Sequence, residues 1–129
     1  MIAVDTNVVV RFLVKDDPDQ AQRARALIEV ETVFVPTSVL LEAEWVLRSA
    51  YRLQHQAVVA GLRGFLRLPS VFAQDQEATF AALDWAEQGM DFADALHLAS
   101  AASCEAFASF DRSLERTARK VGAMRVWTP

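Results

Sequence analysis

The chain has 129 residues, 53 % of them apolar and 23 % charged, with four Gly and four Pro. That length fits one domain spanning residues 1–129, and the composition excludes disordered, collagen-like and linker proteins. Seventeen acids against thirteen bases leave a net charge of −4, which argues against a broad basic nucleic-acid face but not against a local site.

Met1 is followed by a short apolar run, Ile2-Ala3-Val4, that stops at Asp5. Residues 6–13 then read as a short helix. Pro18, flanked by Asp16, Asp17 and Asp19, marks a second helix start, because proline suits the first turn and acids suit the positive end of the helix dipole. Ala21, Ala24, Leu27 and Ile28 carry its apolar face to about residue 30. Val33-Phe34-Val35 is a β-type triplet stopped by Pro36. Thr37 or Ser38 can cap the next helix, whose stripe of Val39, Leu40, Ala43, Val46, Leu47 and Ala50 extends to about residue 53.

A helix over about 54–68 ends at Pro69, and Val71-Phe72-Ala73 is a third strand. Helices over about 76–88 and 92–103 follow. A fourth strand is expected over 106–110, a last helix over 113–121 and a fifth strand over 124–127. Strands separated by helices imply parallel pairing, hence an α/β, three-layer α/β/α sandwich around a mostly parallel five-stranded sheet. Active sites of such sheets lie at the carboxyl ends of their strands.

Acids recur at those positions. Asp5 follows the first strand and Asp111 the fourth; Asp91 and Asp94 open the helix before the fourth, and Glu42 lies in the helix after the second. Two carboxylates at ~4 Å repel by about 4 kcal/mol at an effective dielectric of about 20, so such a group needs a cation or raised pKa values. Carboxylate oxygens suit Mg²⁺ or Mn²⁺, which serve phosphoryl chemistry. Each acid also has a structural reading: Asp is a favoured N-cap worth ~1 kcal/mol, and Asp91 and Asp94 have capping-box spacing. Glu42 and Glu44 flank the apolar stripe on opposite sides, and spacing does not choose between them.

The remaining chemistry-bearing residues are few. Cys104 is the only cysteine, which excludes an internal disulfide and a cysteine zinc cluster, and reads as a core or near-core residue. Trp45, Trp85 and Trp127 read as core or interface residues, and His97 as structural or solvated. Arg112, Arg116, Arg119 and Lys120 share one side of the last helix, either as a solvated face or as a guide for phosphate groups. No apolar run approaches the ~18 residues that cross a bilayer, and the first residues lack the basic segment of a secretion signal, so a cytoplasmic protein is expected.

Asp5-Thr6-Asn7, the segment Thr37-Ser38-Val39-Leu40-Leu41-Glu42-Ala43-Glu44-Trp45-Val46-Leu47, Asp91-Phe92-Ala93-Asp94-Ala95-Leu96-His97, and Ser109-Phe110-Asp111-Arg112 resemble, in order, the motifs of PIN-domain ribonucleases. They are similar in particular to the VapC toxins of toxin–antitoxin modules. The resemblance covers essentially the whole chain. It implies that Asp5, Glu42 rather than Glu44, Asp94 and Asp111 hold Mg²⁺ or Mn²⁺ and activate water for hydrolysis of RNA phosphodiesters. Thr6, Asn7 and Ser109 match supporting polar positions, Asp91 is a further acid beside the set, and Arg112 and Arg116 become candidates for RNA contact. The resemblance also implies a homodimer and a cognate antitoxin that wraps the toxin with a C-terminal segment.

Two rival readings remain. One is another Mg²⁺-dependent phosphoryl-transfer domain, although Asn7 stands where a haloacid-dehalogenase-like phosphatase needs its second Asp, and Asp75 and Lys120 fit a receiver poorly. The other is a non-enzymatic binding protein on a PIN scaffold.

Overall fold

The computed structural model describes residues 1–129. It contains seven helices and five short strands, and forms two compact units, residues 1–76 and 77–129.

The first unit holds β1 (Ile2–Ala3), α1 (Thr6–Leu13), α2 (Pro18–Val30), β2 (Val33–Val35), α3 (Thr37–Ser49), α4 (His55–Leu66) and β3 (Val71–Ala73). Its strands make a parallel sheet in the order β1-β2-β3, with Ile2 opposite Val33, Val33 opposite Val71, and Phe34 opposite Phe72. Parallel neighbours require crossovers, and the helices between the strands supply them. In the central strand Val33 and Val35 are fully buried while Phe34 between them is half-buried, the two-residue period of a pleated strand. Leu40 and Leu47 of α3 and Val58, Leu62 and Phe65 of α4 make much of the core, and Phe65 meets Phe12 of α1 with ring centres 5.3 Å apart. Helix α1 packs on α2 and α3, and α3 packs on α4.

The second unit holds most of α5 (Gln76–Glu87), then α6 (Phe92–Ser100), β4 (Phe107–Ala108), α7 (Arg112–Val121) and β5 (Val126–Trp127). Strands β4 and β5 are parallel, with Phe107 opposite Val126 and Ala108 opposite Trp127. Phe92, Leu96, Leu98, Leu83 and Met90 are its largest buried side chains. Gly122 takes φ 75° at the C-cap of α7, a left-handed conformation that glycine enters without penalty, and the helix stops there.

The structure departs from the sequence expectation in several places. The strands pair as three and two, not as a single five-stranded sheet. The fourth and fifth strands keep only two residues each, so they offer few backbone groups for pairing. Neither Thr37 nor Ser38 caps α3. Pro36 occupies the N-cap position without a side-chain bond, and the Thr37 N–H instead donates to Gln74 Oε1 at 3.1 Å. Helix α3 ends at Ser49, ahead of Arg52, which takes a left-handed φ of 55°. Helix α6 ends at Ser100, followed by turns up to the fourth strand. No helix is long and apolar enough to cross a membrane.

Candidate active site

In the first unit the chain leaves β1 through buried Val4 and turns at Asp5, the N-cap of α1. One carboxylate oxygen of Asp5 accepts from the Thr6 N–H at 2.8 Å, a partner for one of the orphan donors at a helix start. The Thr6 side chain is buried, and its Oγ1 donates to Glu42 Oε1 at 2.5 Å. Thus a residue next to Asp5 holds a carboxylate from α3. The neighbouring acid goes elsewhere: Glu44 is buried and ion-paired with Arg48, Nε to Oε2 at 2.9 Å. The two glutamates therefore differ in a way that spacing does not show, since one is bonded to the Asp5 turn and the other is neutralised on its own helix. Asn7 is exposed on the first turn of α1.

In the second unit Asp91 is the N-cap of α6, its Oδ2 accepting from the Asp94 N–H at 3.1 Å. The reciprocal half of a capping box is missing, because the Asp94 carboxylate makes no hydrogen bond. Burial pushes the Asp94 carboxyl above the ordinary carboxylate range, and the charges of Asp91 and Asp111 push it further, while His97 pulls the other way. Asp111 is the N-cap of α7, its Oδ1 accepting from the Ser113 and Leu114 N–H groups at 2.9 and 3.1 Å. Its own N–H donates to Ser109 Oγ at 3.0 Å, and the Ser109 N–H is tied to the Trp127 carbonyl. Ser109 therefore joins the β4–β5 pairing to the turn that carries Asp111. Asp91 belongs electrically to this group, because its charge acts on Asp94.

Arg112 and Arg116 are exposed on α7, and Arg119 is ion-paired with Glu115 at 3.3 Å. The expectation for Cys104 fails at the surface. Cys104 is exposed rather than in or near the core, since it lies in the turns after α6. Trp45 is 58 % exposed and Trp127 41 %, so of the two readings, core or interface, the core one does not hold for them. Phe110, counted in the fourth strand by its sequence, lies beyond it and is 80 % exposed, one residue before Asp111.

The acids offer only oxygen donors, which suit a hard divalent ion, and the like-charged crowding at Asp94 is what such an ion relieves. No three His, Cys, Asp or Glu side chains are grouped so that they could hold a metal ion in this conformation. The sequence model of the PIN domain matches residues 2–120. No curated protein matches the chain.

Proposed function

The chain belongs to the PIN-domain family, and from that premise we propose that it is a metal-dependent endoribonuclease, the VapC-like toxin of a toxin–antitoxin pair. PIN domains are generally nucleases, usually employ divalent metal ions, and as nucleases bind RNA. The observation that carries the reading is Asp94: a partly buried carboxylate with no hydrogen bond, set against Asp91 and Asp111. A carboxylate without a structural task among like charges is a functional candidate.

In this proposal residues 1–129 are one PIN domain, and Asp5, Glu42, Asp94 and Asp111 hold Mg²⁺ or Mn²⁺. The ion supplies polarisation of the phosphate, a more acidic water and stabilisation of the departing 3′ oxygen. The Thr6 hydroxyl occupies Oε1 of Glu42 and leaves Oε2 for a ligand. Ser109 holds the backbone of Asp111, and the α7 backbone N–H groups hold one of its oxygens. Arg112 and Arg116 steer RNA phosphates, a task that fits their exposure on the helix after Asp111. A homodimer, a cognate antitoxin with a basic tail and a cytoplasmic setting complete the proposal; the net charge of −4 suits the basic tail.

The test is cleavage of RNA with Mg²⁺ or Mn²⁺ by the wild type, Asp5→Ala and Asp94→Ala. EDTA and either substitution, one in each unit, are expected to reduce cleavage by at least about a hundredfold. Cleavage that survives EDTA, or equal rates in all three proteins, overturns the proposal. The rival reading, a PIN scaffold that only binds partners, draws on the lack of three grouped ligands. It predicts no cleavage and no heat on titration with Mg²⁺.

A further inference from the structure

A cavity of about 230 Å³ opens between α1 and α2, inside the first unit. Asn7 and Arg11, four apart on α1, form one wall; Gln20 and Arg23 of α2 form the other; Val8 and Leu27 contribute an apolar floor. The volume lies below the roughly 300–1,000 Å³ of a pocket for a drug-sized ligand, so the cavity suits one flat group rather than a whole cofactor.

The polar walls are unequal. Arg11 is held in place: Nε donates to Gln20 Oε1 at 2.8 Å, while Nη1 donates to Asp16 Oδ1 at 3.0 Å and to the Tyr51 hydroxyl at 2.8 Å. The Tyr51 hydroxyl in turn donates to Asp16 Oδ2 at 3.0 Å. A guanidinium fixed in this way presents a rigid plane on which an aromatic ring can stack. Arg23 is free by comparison. Its contact with Asp19 is 3.7 Å long, with side chains 77 % and 80 % exposed, and an exposed pair of this kind has little hold on its members. The Asn7 amide makes no hydrogen bond within the protein and so has both a donor and an acceptor to offer.

We infer that the α1–α2 cleft binds one nucleotide of a single-stranded RNA, with the base over Val8 and Leu27 against the Arg11 plane, its edge read by Asn7, and its phosphate on Arg23. The chemistry combines a flat apolar body, an edge that gives and accepts hydrogen bonds, and an anion, which is what a nucleotide carries. The inference rests on the endoribonuclease reading for its choice of RNA: Asn7 stands two residues after Asp5, so a strand engaged at Asp5 has a neighbouring nucleotide within reach of the cleft.

The test titrates isotope-labelled protein, in EDTA, with each of the four nucleoside 5′-monophosphates and with inorganic phosphate, reading backbone amide shifts. Saturable shifts at Asn7, Gln20 and Arg23 with at least one nucleotide are expected, with inorganic phosphate binding more weakly. Arg23→Glu should weaken nucleotide binding by roughly tenfold or more, and Gln20→Ala, which removes the partner that helps hold Arg11, should also weaken it. Arg67→Glu, an equal charge change on an exposed residue outside the cleft, should not. No shifts at the cleft with any nucleotide overturn the inference, as does a response to inorganic phosphate equal to that of the nucleotides. The result is independent of cleavage. A protein that cuts RNA while its cleft ignores nucleotides refutes the inference alone, and one that binds nucleotides there but cuts nothing refutes the nuclease reading alone.

Discussion

Two buried threonines show how differently the two units use a hydroxyl. Thr6, in residues 1–76, is 5 % exposed and donates to the carboxylate of Glu42; Thr79, in residues 77–129, is fully buried and its hydroxyl has no partner. The same division holds for the acids. In the first unit Asp5 is bonded to the α1 N-terminus and Glu42 to Thr6. In the second, Asp91 and Asp111 are engaged as caps while Asp94, between their charges, is left without a bond. Among the candidate-site acids, those of the first unit are hydrogen-bonded, and Asp94 of the second is not. If the proposed ion binds, the repulsion it would relieve includes that at Asp94.

Phe65 gives the largest expected effect on stability. It is 1 % exposed and packs on Phe12, so Phe65→Ala should cost about 3–5 kcal/mol, read by urea unfolding. Trp45 lies in the first unit and Trp85 and Trp127 in the second, so variants that keep tryptophan in only one unit tell by fluorescence whether the loss is felt by one unit or by both. A loss under about 1 kcal/mol would show that the surrounding helices collapse into the space.

The two threonines can be set against each other next. Thr6→Val removes a hydrogen bond to a charged group and should destabilise by about 1–2 kcal/mol. Thr79→Val removes a buried hydroxyl that lacks a partner and should be neutral or stabilising in the same unfolding assay. Effects of the same sign and size would erase the contrast between the units.

Asp111 separates capping from ligation. Asp111→Ala loses two backbone partners at the start of α7 and should cost about 1 kcal/mol, whereas Asp111→Asn keeps an accepting oxygen and should cost much less. Both should lose cleavage if the charge holds the ion. An active Asp111→Asn would reduce this residue to a cap.

The smallest effect is the pH dependence at Asp94. Its folded carboxyl is held above the ordinary 3.8, by burial first and then by Asp91 and Asp111. The native state therefore binds more protons than the unfolded state between that value and the raised one. Stability falls as pH rises across this window, and the full penalty persists above it. Asp94→Asn should accordingly raise metal-free stability at neutral pH, by up to about 1 kcal/mol, the size of an exposed charge interaction. Thermal melts of the two proteins across that window check the sign, and melts with and without Mg²⁺ should show the wild type gaining more from the ion.

Much of the local structure was legible in residue order. Asp5, Asp17 with Pro18, Asp91 and Asp111 announce four helix starts, and each forms its cap bond in the structure. Pro18 marks a start through its backbone dihedral alone. Asp5 and Asp111 are in the same class, because a position after a strand and before a helix follows from short-range pattern. The start of α3 was less legible: its first N–H is satisfied by Gln74, far along the chain, so neither Thr37 nor Ser38 is needed as a cap. The lengths of the fourth and fifth strands were overestimated because apolar residues continue past the ladder, as at Phe110, which is exposed.

Residue order by itself thus determined the succession of elements, the helix boundaries set by Asp, Pro and Gly, the carboxylates at strand ends and the PIN-like motif sequence, since all of these depend on dihedral and hydrogen-bonding preferences acting within a few residues. Only the tertiary structure decided that Glu42 meets Thr6 across 36 positions while Glu44 turns to Arg48, that the strands pair as three and two, and that Asp94 is left without a bond between two like charges. Those outcomes depend on which distant groups are brought to within ~3 Å of one another, and helical or strand periodicity carries no information about that.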